Sequence, residues 1–236
     1  MRLVVGNFKM NLNNDEIINY INYFKGKDLN NVVFAPPSIY LKDFVNNGFT
    51  TCSQDVSFAS KGAYTGDISA QQLKSIGIKY SIIGHSERRK YYGDSSLVNE
   101  KLQRLLEEDI IPIICIGETK EERDNNETFK CLAEEIDTVF KNIDTNCLNN
   151  VIIAYEPIWS IGTGVIPTNK EILETISYIK NYIKDNYKLT LSCLYGGSVN
   201  NNCIETLENI EVVDGYLVGG CSIKKEDFDK LINNIK

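Results

Sequence analysis

The sequence predicts an α/β fold: a closed, eight-stranded parallel (β/α)8 barrel, built as a single domain over residues 1–236. Three observations carry that expectation. Eight short apolar runs of strand length alternate with segments of helical spacing. The runs are nearly continuous in apolar character, as strands covered on both faces are. No Pro/Gly/Ser-rich linker or shift in composition divides the chain. A chain of this length buries a substantial core, and α/β barrels of this size form one domain. The alternation by itself also admits an open doubly wound sheet, with the closed barrel as first choice.

The strand-like runs fall at 3–6, 32–35, 49–53, 80–84, 111–116, 151–155, 191–195 and 213–218. The third is the weakest, being mostly Thr, Cys and Ser. Between them, Ile17, Ile18, Ile21 and Phe24 are expected on one helical face, and Leu97, Val98, Leu102 and Leu105 on another. Ile172, Ile176, Ile179 and Ile183 form a third stripe, and Phe228, Leu231, Ile232 and Ile235 a fourth. Thr168 followed by Glu171 reads as a capping box that opens the third of these helices. Ser38, after Pro36 and Pro37, reads as another helix start.

The formal charge of −7 excludes neither a small anionic ligand nor local basic groups, but it argues against nucleic acid or an acidic membrane surface as partner. The seven cysteines are odd in number and show no CxxC spacing, which favours reduced structural thiols over a disulfide framework or a metal site. No run approaches the length of a membrane span and no secretory leader is evident, so a cytoplasmic protein is expected. Asn126-Glu127-Thr128 matches a glycosylation sequon in form only.

In a barrel of this kind the functional groups sit where strands end and the following loops begin. That rule selects Asn7 and Lys9 after the first run, His85 after the fourth and Glu156 after the sixth. It also selects Ser198 in the YGGS stretch after the seventh, and Gly219 and Gly220 after the eighth. His85 is the only histidine. If Ser86 begins a short helix, the positive helix end disfavours imidazolium, and a neutral ring can donate to a substrate oxygen. Glu87 and Arg88 are then supporting or interface charges, or else a solvated ion pair. Glu156 precedes Pro157 and a loop holding the only Trp, Trp159, with Gly162 and Gly164. Such a loop suits a lid, and a carboxylate beneath a lid is partly desolvated and strengthened as a base. Lys9 is read as a fixed positive charge for an anion, with a Schiff-base lysine as the alternative. Ser198, Gly219 and Gly220 offer small side chains and open backbone N–H groups where barrels commonly hold phosphate.

The motifs GNFKMN, IIGHSERR, CIGE, AYEPIWSIGTG, YGGSV and DGYLVGG, spread from residue 6 to residue 220, resemble those of the triosephosphate isomerase family. The resemblance implies a TIM barrel that interconverts glyceraldehyde 3-phosphate and dihydroxyacetone phosphate through an enediolate, in glycolysis and gluconeogenesis, with no cofactor or metal. It implies Glu156 as base, His85 as electrophile, and Asn7 and Lys9 as substrate contacts. Gly162, Ser198, Gly219 and Gly220 would then surround the phosphate. The resemblance likewise implies that His85 is kept neutral by a helix end. A homodimer is implied as well, with residues 61–69 resembling the loop that inserts beside the partner's site and Thr65 near its tip. Three departures from the family pattern stand out. Phe8 replaces a usual Trp, Asp55 replaces a common Asn, and Val165-Ile166-Pro167 replaces the more usual Lys-x-Ala.

Overall fold

The computed structural model describes residues 1–161 and 166–235. Its eight strands are β1 (Leu3–Asn7), β2 (Val32–Ala35), β3 (Cys52–Ser53), β4 (Tyr80–Ile83), β5 (Ile111–Ile116), β6 (Ile152–Tyr155), β7 (Ser192–Tyr195) and β8 (Gly215–Val218). They pair in the order β2-β1-β8-β7-β6-β5-β4-β3, and each of these strand pairings is parallel. The two ends of that order meet through a parallel bridge between Phe34 and Thr51, where the Phe34 N–H donates to the Thr50 carbonyl at 3.0 Å. A barrel, not an open sheet, results.

Packing supports the closure independently. Side chains alternate across a strand, so each strand sends one set inward and one outward. Val5, Val33, Ala35, Cys52, Ile82, Ile113, Cys115, Ala154, Leu194 and Leu217 form a single buried cluster drawing on all eight strands. Their neighbours Val4, Phe34, Ile83, Ile114, Ile153 and Val218 belong instead to a larger cluster shared with the helices. An open sheet would have no interior for the first set to share.

Ten α-helices follow the strands among the described residues: α1 (Asn14–Phe24), α2 (Leu41–Asn46), α3 (Ala70–Ser75), α4 (Ser86–Tyr92), α5 (Val98–Glu107), α6 (Lys120–Asp124), α7 (Thr128–Phe140), α8 (Asn169–Tyr187), α9 (Ile204–Leu207) and α10 (Lys225–Asn233). The Thr168–Glu171 capping box opens α8: the Glu171 carboxylate accepts from the Thr168 N–H at 2.7 Å, and the Thr168 hydroxyl accepts from the Glu171 N–H at 3.3 Å. Ser38 begins a 3-10 turn that runs into α2, not an α-helix of its own.

Two sequence expectations need correction. The third run yields only the two-residue strand β3, because the polar stretch before it carries just a single bridge to β2. Ile18 is 49% exposed, and Tyr20 takes the core position beside Ile17, Ile21 and Phe24. Tyr20 can do so because its hydroxyl donates to the Ser222 carbonyl at 2.7 Å, which satisfies the one polar atom its ring carries inward. Phe8 is fully buried and packs on Tyr20 and Phe44, with ring centroids 4.7 and 5.8 Å away. An aromatic core explains why Phe is tolerated at that position.

Candidate active site

The C-terminal ends of β1, β4, β6, β7 and β8 converge on a cavity of about 270 Å³, whose wall includes Asn7, Lys9, His85, Glu156, Ser198, Gly219 and Gly220. All the described residues selected as rim groups therefore meet in one place. Gly162 lies outside the described residues, as does Val165.

Glu156 directly follows β6 and is 2% exposed. One carboxylate oxygen lies 3.2 Å from His85 Nε2, and the other accepts from the Ser86 N–H at 3.3 Å. Two glycines make room for it. A Cβ on Gly196 would sit 3.0 Å from Glu156 Cγ, and one on Gly117 only 1.7 Å from the Glu156 carbonyl oxygen. The Cys115 thiol also touches the Glu156 carboxylate; burial first, then that negative charge, pushes it well above the ordinary thiol range.

His85 precedes α4 and caps it: its Nδ1 accepts from the Glu87 N–H at 3.2 Å. A ring nitrogen that accepts from a backbone N–H carries no proton, so the other nitrogen, facing Glu156, is the donor. The start of a helix at Ser86 was the condition set by the sequence, and α4 meets it.

Lys9 adopts a left-handed conformation, φ +52°, which is uncommon for a residue with a side chain. Two neighbours hold it there: its N–H donates to Asn7 Oδ1 at 3.0 Å, and Gln54 Nε2 donates to its carbonyl at 2.9 Å. Its ammonium pairs with Glu87 at 2.5 Å and lies beside Gly219, where a Cβ would meet Lys9 Cε at 3.4 Å. Glu87 is thus the counter-ion of Lys9. Arg88 pairs with Asp55 at 2.8 Å and covers the Tyr92 ring at 4.3 Å. Asp55 also binds the buried Lys101 at 2.8 Å; burial raises its carboxyl pKa, against the pull of that ammonium. Ser198 donates to the Ser160 carbonyl at 2.9 Å, tying the loop after β7 to the 3-10 turn Ile158–Ser160.

Sequence reasoning passed over several supporting groups. Glu118, within the CIGE stretch, is fully buried and accepts from Tyr155, Trp159 and Arg123 at 3.1, 2.9 and 3.0 Å. Arg123 reaches on to Glu171 at 2.6 Å, and this contact holds the Glu171 carboxyl pKa down at about 2. A carboxylate in an apolar strand-end motif was the available signal for Glu118. Gln54 lies just past β3, where the rim rule would also have found it.

Among the described residues no helix is long and apolar enough to cross a membrane. A parallel barrel whose rim gathers a buried carboxylate, a hydrogen-bonded imidazole, an ammonium and two glycine-rich loops defines an acid–base enzyme acting on a small ligand. The triosephosphate isomerase family model matches residues 2–235, and the chain belongs to that family. The chain is similar to triosephosphate isomerases of Alkaliphilus oremlandii (37% identical) and Clostridium botulinum strain Langeland (38%), each over 98% of both chains. Its similarity to the triosephosphate isomerase of Mesomycoplasma hyorhinis is 38% identity over 98% of this chain and 97% of that one.

Proposed function

We propose that this chain isomerises glyceraldehyde 3-phosphate and dihydroxyacetone phosphate, serving glycolysis and gluconeogenesis in the cytoplasm. The observation that carries the reading is the His85–Glu156 pair buried at the rim of the cavity. Glu156 removes a proton from carbon and returns it to the adjacent carbon. The substrate oxygens take the donor that Glu156 now uses at His85 Nε2, and Lys9 faces the charge that develops on them. Asn7 keeps Lys9 in place. Ser198, Gly219 and Gly220 border the end suited to the phosphate, where small residues leave backbone N–H groups accessible. Ser86 and Glu87 support this set, the first by holding Glu156 between turnovers and the second by fixing His85 and Lys9.

The active form in this reading is a homodimer. A second cavity, of about 590 Å³, shares Asn7, Lys9 and His85 with the first. Met10, Tyr91 and Tyr92 stand beside it, 95%, 66% and 68% exposed. The 61–69 loop of a second copy, with Thr65 and the half-exposed Tyr64, is of a kind to fill it. Exposed aromatics around a concave patch are costly unless covered.

One preparation tests both statements. Purified protein should convert glyceraldehyde 3-phosphate in a coupled assay with a chelator present, and should sediment with the mass of two chains. Borohydride added with dihydroxyacetone phosphate should trap nothing on Lys9. A covalent adduct there would replace the isomerase by a Schiff-base aldolase, and a monomer with full activity would remove the dimer.

A further inference from the structure

Two side chains that lie outside the cavity connect the end of β4, which helps form it, to the end of β5 beside it. Arg89, on α4, donates from Nε to the Gly84 carbonyl at 2.7 Å and from Nη2 to the Cys115 carbonyl at 3.1 Å. Its Nη1 lies 3.4 Å from a carboxylate oxygen of Glu135, on α7. The other oxygen of Glu135 accepts from the Gly117 N–H at 2.9 Å. Each of these backbone points adjoins the reacting pair. Gly84 immediately precedes His85. Gly117 packs against the Glu156 backbone without room for a Cβ, and the Glu156 N–H donates to Ile116, between Cys115 and Gly117.

We propose that Glu135 and Arg89 are positioning residues that set the separation of His85 and Glu156. This rests on the isomerase reading given above. The guanidinium spans the ends of β4 and β5, and the carboxylate locks the segment after β5 on which β6 delivers Glu156. A planar, five-donor group suits a three-point brace in a way an ammonium does not. Neither residue reaches the cavity, so neither contacts a ligand. The surroundings pull on the carboxyl in both directions. Burial raises the Glu135 pKa, and Glu122 and Glu156 add to the rise, while Arg89 and the Gly117 N–H oppose it. The Cys131 thiol also faces this carboxylate. Removing Glu135 would leave the Arg89 charge without its acidic partner and Gly117 N–H without its acceptor.

The test is steady-state kinetics of Glu135→Ala and Glu135→Gln, read beside the ¹⁵N ring signals of His85, which are unambiguous because it is the only histidine. A small misplacement of reacting groups is costly, so kcat of Glu135→Ala should fall on the order of 10-fold with KM within about twofold. The His85 signals should shift. Glu135→Gln keeps an acceptor for the Gly117 N–H but turns its amide NH2 toward Arg89, so it should recover only part of the loss, with kcat between those of the alanine variant and wild type. An alanine variant with wild-type kcat and unmoved His85 signals overturns the proposal, and so does a loss seen equally as a rise in KM. Where the alanine variant does not fold, Arg89→Lys replaces it: the same fall in kcat is expected, and unchanged turnover overturns the proposal. Failure of the isomerase reading would show as an inactive wild-type chain, which is distinct from an active wild type and an equally active Glu135→Ala.

Discussion

Glu156→Gln is expected to lower kcat by at least ~10²-fold, the lower part of the range for loss of a general base. The substitution is close to isosteric, and an amide oxygen can still accept from the Ser86 N–H that now holds the carboxylate. It cannot take a proton from carbon. The loss should fall on kcat while KM changes little, since the groups assigned to the phosphate are untouched. A thermal melt close to wild type would separate lost chemistry from lost fold. Near-normal turnover would remove Glu156 from the mechanism.

The second large effect is expected from a residue with no functional group. In Gly117→Ala the new Cβ would come 1.7 Å from the Glu156 carbonyl oxygen and 2.6 Å from its carbonyl carbon. Both obstacles are backbone, so no rotamer change relieves the clash, and the segments after β5 and β6 must part. Forcing extra volume into a packed site costs about 1–3 kcal/mol of stability. The displacement also moves Glu156 relative to His85, which should lower kcat on the order of 10²-fold. Thermal denaturation and kinetics measure the two parts separately. Wild-type values in both would show that Glu156 is not seated by this contact.

These two residues differ in how visible they were before the fold was known. Glu156, His85, Lys9 and Asn7 could be picked out because a polar residue directly after an apolar run is conspicuous, and a barrel puts such residues on one rim. Strand positions were legible for the same reason, apart from the polar third run. Closure was not legible, since it depends on which alternate residues share an interior, and that is a property of all eight strands together. Ile18 was misplaced because a run of apolar residues does not say which of two adjacent positions faces inward; the hydrogen bond of Tyr20 to Ser222, 202 residues away, decides it. Arg89 and Glu135 were invisible for a similar reason. They lie on helices, 46 residues apart in sequence, and their partners are backbone atoms that no side-chain pattern records.

Glu156 is proposed to pass a proton between two carbons of a triose phosphate. Isomerisation of glyceraldehyde 3-phosphate in deuterium oxide, followed by proton NMR of the product, tests it most directly. A carboxyl group that holds the proton briefly exchanges part of it with solvent, so some of the dihydroxyacetone phosphate should carry deuterium at the carbon that received it. Product formed at the normal rate with no deuterium at that carbon, at any extent of conversion, would contradict the proton-transfer account and point to direct hydride migration.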